Sequence, residues 1–230
     1  GMETKENTEI LSYTDEYFGC YDVLDSSDTI VYSWGDTWGV SNQYELYSIK
    51  TDGTQKTQLT DNASWEYWCK RNAAGDELYY SMSGPVSGDT WQRDVYAMSL
   101  PSGTPRNVTN SLTAEWFFDV AADESFIVSS TSVSTVDDFD LVKFDVAGNS
   151  ETTIVSADDF PDKSDGFYIS PDSTKIAFLG ECDSSFECKK LYIMDKSGNI
   201  LFNKLASVAF SYIVWSADSR SVMVNDVLNT

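Results

Sequence analysis

Histidine is absent from all 230 residues, and that absence removes much of the chemistry open to a chain of this size. Ser-His-Asp and Cys-His relays need an imidazole to move the proton, and zinc sites of the HExxH type need it as a ligand. Lyases that depend on a histidine-bound metal are excluded on the same ground. Basic residues are scarce: 15 Lys and Arg stand against 37 Asp and Glu, for a net charge of −22. Such a surface repels a phosphate backbone, so nucleic acid is ruled out as a partner. No run approaches eighteen apolar residues, so no membrane-spanning helix and no membrane insertion are expected. There is no G-x-S-x-G elbow and no glycine-rich phosphate loop. Nothing holds a 3.6-residue apolar period for long.

What the chain does have is a repeat. Anchored on the first inward residue of a short β pattern, it falls at Ile30, Leu78, Phe126, Ile176 and Val222. The spacing is close to fifty residues, the signature of a β-propeller built from one supersecondary unit per blade. A turn precedes each anchor: Leu24–Ser27, Asn72–Gly75, Ala121–Glu124, Ser170–Ser173 and Ser216–Ser219. Asp and Asn fold back on the backbone there, Pro presets φ, and Gly accepts positive φ. A third strand recurs at Leu46–Ile49, Val95–Met98, Leu141–Phe144 and Leu191–Met194, each followed by a hairpin signal such as Asp52-Gly53 or Ser197-Gly198. Fourth strands read Thr57–Thr60, Arg106–Thr109, Thr152–Val155 and Phe202–Leu205.

The fold expected is therefore all-β, a single propeller domain spanning 1–230, with about five four-stranded blades near 16–61, 62–110, 111–156, 163–206 and 209–226. The fifth copy supplies only two strands. Ile10–Asp15 precedes blade one as Thr57–Asp61 precedes blade two, so residues 8–15 are expected to complete the last blade and close the ring, removing its unpaired edges.

Ile169-Ser170-Pro171-Asp172-Ser173-Thr174-Lys175-Ile176-Ala177-Phe178, followed by Leu191-Tyr192-Ile193-Met194-Asp195 and Gly198, resembles the TolB-type propeller repeat, a relative of the WD repeat. Trp215–Val222 is a second good match, and the other copies match by pattern more than by letter. The resemblance covers nearly the whole chain. It implies the propeller fold and, as in TolB-type propellers, a partner peptide bound at the channel mouth. It fixes no activity, because the same repeat occurs in envelope proteins, peptidase-associated propellers and some lyases. The pattern departs from TolB itself in giving five blades at most, where that protein has six.

Four cysteines bear on the compartment. Cys182 and Cys188 bracket the loop between second and third strands of blade four, where a local disulfide is sterically natural. Cys20 and Cys69 lie in first strands of adjacent blades, and their one-residue offset turns them toward each other. A second bridge and a pair of buried thiols are both compatible with that placement. An even count leans toward an oxidising compartment, periplasmic or extracellular.

The aromatic residues mark a candidate site. Loops before first strands and loops between second and third strands share one face of a propeller. Trp34, Trp38 and Trp91 fall on or beside the latter, and Tyr17, Trp65 and Trp116 near the former. Large amphipathic rings anchor protein interfaces and also stack on sugars. Trp68, Phe117, Phe118, Tyr212 and Trp215 are read instead as packing between blades. Two acidic groups, Asp137-Asp138 with Asp140 and Asp158-Asp159 with Asp162, offer oxygen donors to Ca²⁺, and solvated surface explains them equally. Asp22 and Asp119 occupy matching first-strand positions that could face the channel as an acid–base pair, with Lys70 and Arg71 placed to offset them. The function expected is a non-enzymatic binding module that recognises a protein or peptide partner, a basic one given the charge. Carbohydrate binding on the same rim and a carboxylate-dependent glycosidase are the alternatives.

Overall fold

Runs of six to eight residues that alternate apolar and polar side chains, cut by Asn, Asp, Ser and Gly turns, suit short half-buried strands. The computed structural model describes residues 10, 17–23, 27–35, 44–83, 92–132, 139–147, 150–159, 166–182 and 188–226. Regular structure in them is entirely β: β1 (Tyr17–Val23), β2 (Thr29–Gly35), β3 (Glu45–Lys50), β4 (Thr57–Gln58), β5 (Trp65–Arg71), β6 (Glu77–Ser83), β7 (Arg93–Ser99), β8 (Arg106–Asn107), β9 (Ala114–Val120), β10 (Phe126–Ser132), β11 (Phe139–Asp145), β12 (Ser150–Val155), β13 (Phe167–Ile169), β14 (Lys175–Cys182), β15 (Cys188–Asp195), β16 (Ile200–Trp215) and β17 (Val222–Asp226). No helix of the described residues is long and apolar enough to cross a membrane.

The strands form antiparallel sheets in the orders β1-β2-β3-β4, β5-β6-β7-β8, β9-β10-β11-β12 and β13-β14-β15-β16-β17. The long β16 does two jobs. Its first half pairs with β15 as the fourth strand of blade four, and its second half pairs with β17 as the first strand of a further blade. First strands contact one another in the sequence β1, β5, β9, β13, β16, so the blades are arranged around a common axis as a β-propeller. The closing strand expected at 8–15 lies outside the described residues, apart from Ile10, whose carbonyl lies near Gly53.

Strand pairing corrects the expected repeat register in the third blade. The innermost pairs are Val23↔Ile30, Arg71↔Leu78, Val120↔Ile127, Ile169↔Ile176 and Trp215↔Val222. The anchor is thus Ile127, not Phe126. Both residues are large and apolar, so hydrophobicity could not choose between them; the hydrogen bond from the Ala121 N–H to the Phe126 carbonyl, matching Asn72 to Glu77, does.

Each wedge between blades is a separate apolar cluster. Leu78 and Tyr80 face blade one with Val31 and Leu46; Tyr79 faces blade three with Phe118 and Ile127. Phe126 and Val128 meet Ile176 and Phe178, and Ala177 and Leu179 meet Ile213 and Val222. Alternation along each second strand therefore glues one blade to both neighbours. Full burial of each such side chain is worth about 1.5–3 kcal/mol.

Trp68 and Trp215 reach across the same wedges, donating Nε1–H to the carbonyls of Phe118 and Tyr168 at 3.0 Å each. With Phe117 edge-on to Trp68 at 5.0 Å, the packing role expected for these aromatics holds; the Tyr212 side chain lies outside the described residues. Cys20 and Cys69 are bonded across the first wedge, with Cα atoms 5.8 Å apart, and Cys182 is bonded to Cys188 across β14 and β15.

The turns between first and second strands are also linked from blade to blade. Arg71 Nη1 donates to Ser27 Oγ, Asn72 Nδ2 to Glu124, the Asp123 N–H to Ser173 Oγ, and the Asp172 N–H to Ser219 Oγ. Gly75, Glu124, Ser173 and Ser219 share one turn position and all have positive φ, between 56° and 79°. Only Gly75 adopts that conformation without strain.

The two ends of the blade series differ from its middle. Tyr21 holds the position of Cys69, Phe118, Phe167 and Ile213, which are at most 6% exposed, yet it is 77% exposed. Met223 holds the position of Val31, Tyr79, Val128 and Ala177, all at 0%, and is 65% exposed. These faces have no neighbouring blade against them among the described residues.

Candidate functional site

The polar residues at the end of the propeller where third strands begin repeat as regularly as the apolar ones. Glu45, Asp94 and Asp140 are the first or second residues of their third strands, and each accepts a backbone N–H seventeen residues downstream, from Asn62, Ser111 and Ala157 at 2.8–3.0 Å. Thr60 and Thr109 accept the N–H of Leu46 and Val95 and donate to Glu66 and Glu115. These bonds tie the first two linkers to the blade each leaves and the blade each enters. Glu66 and Glu115 are wholly buried. Burial pushes both carboxyls up to about 8, outweighing the hydrogen bonds from Asn62 and Thr60 to the first and from Ser111, Thr109 and Thr113 to the second.

Neighbouring side chains in β5 and β9, alternating with those glutamates, build an aromatic stack. Arg93, the first residue of β7, places its guanidinium carbon 4.2 Å from the ring centre of Tyr67 and 4.1 Å from that of Trp116. Trp65 lies edge-on to Tyr67 at 5.9 Å, and Tyr44 lies tilted against it at 5.6 Å. Two aromatic faces on one guanidinium are the favoured geometry of a cation–π contact, worth about 0.5–2 kcal/mol each. Burial raises the Tyr67 hydroxyl to about 12 even with the Arg93 charge beside it, so it stays a neutral phenol.

Near the axis, Asp22, Lys70, Asp119, Tyr168 and Val214 share one first-strand position. Asp22 accepts Arg71 Nε at 2.7 Å and the Arg71 N–H at 3.3 Å. Asp119 accepts Lys70 Nζ and, at 2.7 Å, the N–H of Ile169. Each carboxylate thus reaches the backbone of the next blade. Lys70 and Arg71 offset the two aspartates, as their placement suggested.

The structure joins Trp65 and Trp116 in one cluster through Tyr67 and Arg93. Trp34 lies elsewhere: it is part of β2, packed edge-on to Tyr47 at 5.5 Å, with Lys56 Nζ 4.7 Å from its ring centre. Trp38 and Trp91 lie outside the described residues, as does the Tyr17 side chain. Of the residues weighed for Ca²⁺, Asp140 caps Ala157, Asp158 and Asp159 are exposed, and Asp137, Asp138 and Asp162 lie outside the described residues. Among the described residues no three His, Cys, Asp or Glu side chains converge to hold a metal ion. Sequence reasoning missed Arg93, Tyr67 and the two glutamates. A signal for the glutamates existed, since Thr60 and Glu66 recur 49 residues later as Thr109 and Glu115.

No protein-family model matches the sequence, and no curated protein matches it. Solved structures do. TolB from Acinetobacter baumannii superposes with a TM-score of 0.62 at 13% identity, over 87% of this chain and 46% of that one. An oligogalacturonate lyase in complex with manganese gives 0.60 at 12% identity, over 85% and 55%. A putative TolB from Agrobacterium tumefaciens gives 0.57 at 20% identity, over 87% and 72%. The chain spans about half the length of the first two. Its fold is that of the TolB-type β-propellers.

Proposed function

We propose that this chain is a non-enzymatic binding module of the cell envelope or exterior, and that a protein segment docks on the face formed by Trp65, Tyr67, Arg93 and Trp116. The observation that carries this reading is the aromatic–guanidinium stack drawn from β5, β7 and β9 onto one end of the propeller. Aromatic residues and arginine are the side chains that most often dominate protein interfaces. The carboxylates that a glycosidase would need point the other way: Asp22 and Asp119 are engaged with Arg71, Lys70 and backbone N–H groups. Two disulfides suit an oxidising compartment, and the net charge of −22 draws basic segments toward the molecule.

The test is selection of peptides from a random display library on the folded chain, followed by calorimetry on Trp65→Ala and Trp116→Ala. Selected peptides are expected to bind the parent and to lose at least about tenfold in affinity on either variant, the scale of an interface anchor. Selection of nothing that depends on these residues, or turnover of a glycoside abolished by Asp22→Asn, would end this reading.

A further inference from the structure

Arg93 sets its guanidinium against two aromatic rings, and it lacks what a buried cation normally has. Among the described residues no carboxylate pairs with it, in a chain carrying 37 acidic residues. The nearby acids are committed elsewhere: Glu66 to Asn62 and Thr60, Glu115 to Ser111, Thr109 and Thr113, and Asp94 to Ser111 and Asn107. Arg93 Nε is buried with no acceptor, while the side chain as a whole keeps part of its surface in solvent. Burial lowers its pKa from the ordinary arginine value, and no carboxylate opposes that effect. Desolvated charge without a counter-ion is unfavourable unless something supplies the missing acceptors.

From this geometry we infer that Arg93 is the receptor for one carboxylate of the docked protein segment, accepted by the guanidinium N–H groups. The rings of Tyr67 and Trp116 both lie within 4.2 Å of its guanidinium carbon and restrict where it can sit, and among the described residues the part of the side chain left in solvent is where a ligand can reach it. A planar donor fork held this way matches a carboxylate bidentately. A uronic sugar carries the same group, but stacking a sugar needs a free ring face: Arg93 takes one face of Tyr67 and of Trp116, and Tyr44 and Trp65 pack against Tyr67 as well. Gln92, next to Arg93 in the chain, is also occupied, donating to the Ser111 carbonyl. A peptide carboxylate needs no ring face. The surrounding negative field repels an acidic tract, so the partner carries this carboxylate singly, among neutral or basic residues.

The inference rests on the protein-binding reading above, and its test separates the two. Peptides selected on the folded chain are resynthesised with each Asp and Glu changed in turn to Asn and Gln, and measured on the parent, Arg93→Lys and Arg93→Gln. One change is expected to weaken binding to the parent by about tenfold or more, as for a charge-assisted pair. The same change should have less than about twofold effect on Arg93→Gln, with Arg93→Lys between them. The peptide substitutions leave the protein untouched, so the comparison of parent with Arg93→Lys stands even if Arg93→Gln does not fold. If Trp116-dependent peptides bind with no sensitivity to any acidic position, the Arg93 assignment falls and the binding module survives. If no peptide depends on Trp116, both fall. If digalacturonate binds in an Arg93-dependent way and no peptide does, the peptide assignment is overturned in favour of a sugar.

Discussion

Glu66 and Glu115 occupy the same position in consecutive blades, and neither is exposed to solvent. Both have carboxyls raised from 4.5 to about 8, chiefly by burial. The unfolded chain releases these protons near 4.5, whereas the folded chain holds them until about 8. Their contribution to stability is therefore complete below 4.5 and declines as pH rises toward 8. Turn carboxylates act in the opposite sense. Asp172 is lowered by the Ser170 hydroxyl, Asp195 by Asn199 and Asp218 by Ser216, so their support is lost as pH falls below 3.8. Thermal unfolding across pH should show a maximum at roughly pH 4–5. Glu66→Gln and Glu115→Gln should flatten the alkaline descent. Unchanged descent in both variants would show that the buried glutamates do not set it.

Arg71 and Lys70 are adjacent cations on β5 with different worth. The Arg71 side chain is 2% exposed and holds Asp22, whereas that of Lys70 is 41% exposed while holding Asp119. Arg71→Met should cost about 3 kcal/mol, because it leaves a partly buried carboxylate with only the long bond from the backbone N–H of residue 71. Lys70→Met should cost about 1 kcal/mol, since Asp119 keeps the N–H donors of Ile169 and Val120. Urea unfolding of the two variants gives the order directly. Equal losses would mean that the exposed ammonium is as well desolvated as the guanidinium.

The propeller could be read from the sequence because its turns use residues with one local job each, and because second strands carry apolar side chains on both faces. Ser170–Ser173 and Ser216–Ser219 say where a blade begins. The register of blade three could not be read, since Phe126 and Ile127 both fit a buried strand and pairing alone separates them. The candidate site was half legible. Trp65 and Trp116 stood out as aromatics near the start of first strands, but the same rim reading also took in Trp34, which is part of β2 and packs on Tyr47. Arg93 carries no mark in the sequence, because its role depends on two rings 26 residues before and 23 after it.

Removing the two disulfides should cost different amounts. In the loop-entropy account, a bridge closing a separation of 49 residues, as Cys20–Cys69 does, is worth about 4 kcal/mol, against about 2 kcal/mol for the six-residue separation of Cys182–Cys188. Cys20→Ser with Cys69→Ser should thus lower the denaturation midpoint more than the matching change at Cys182 and Cys188. The first pair also lies in the wedge with Val31, Leu46 and Tyr80, so its loss should loosen blade one against blade two. Hydrogen exchange in β1 and β5 would report that loosening, and uniform protection in both double variants would argue against it.

Tyr21 and Phe118 offer a matched pair, since they occupy one repeat position at opposite extremes of exposure, 77% and 3%. Phe118 packs against Tyr79, Val95 and Val108 of the preceding blade, so Phe118→Ala opens a cavity and should cost about 3–5 kcal/mol. Tyr21→Ala removes a ring that touches little and should change stability by less than about 0.5 kcal/mol. Met223→Ala, at the far end of the series, should behave as Tyr21→Ala does. A large loss at Tyr21 and Met223 together would mean that these two faces are covered in solution, by each other or by a second copy. Sedimentation of the parent chain separates those cases, because pairing between copies raises the mass and closure within one chain does not.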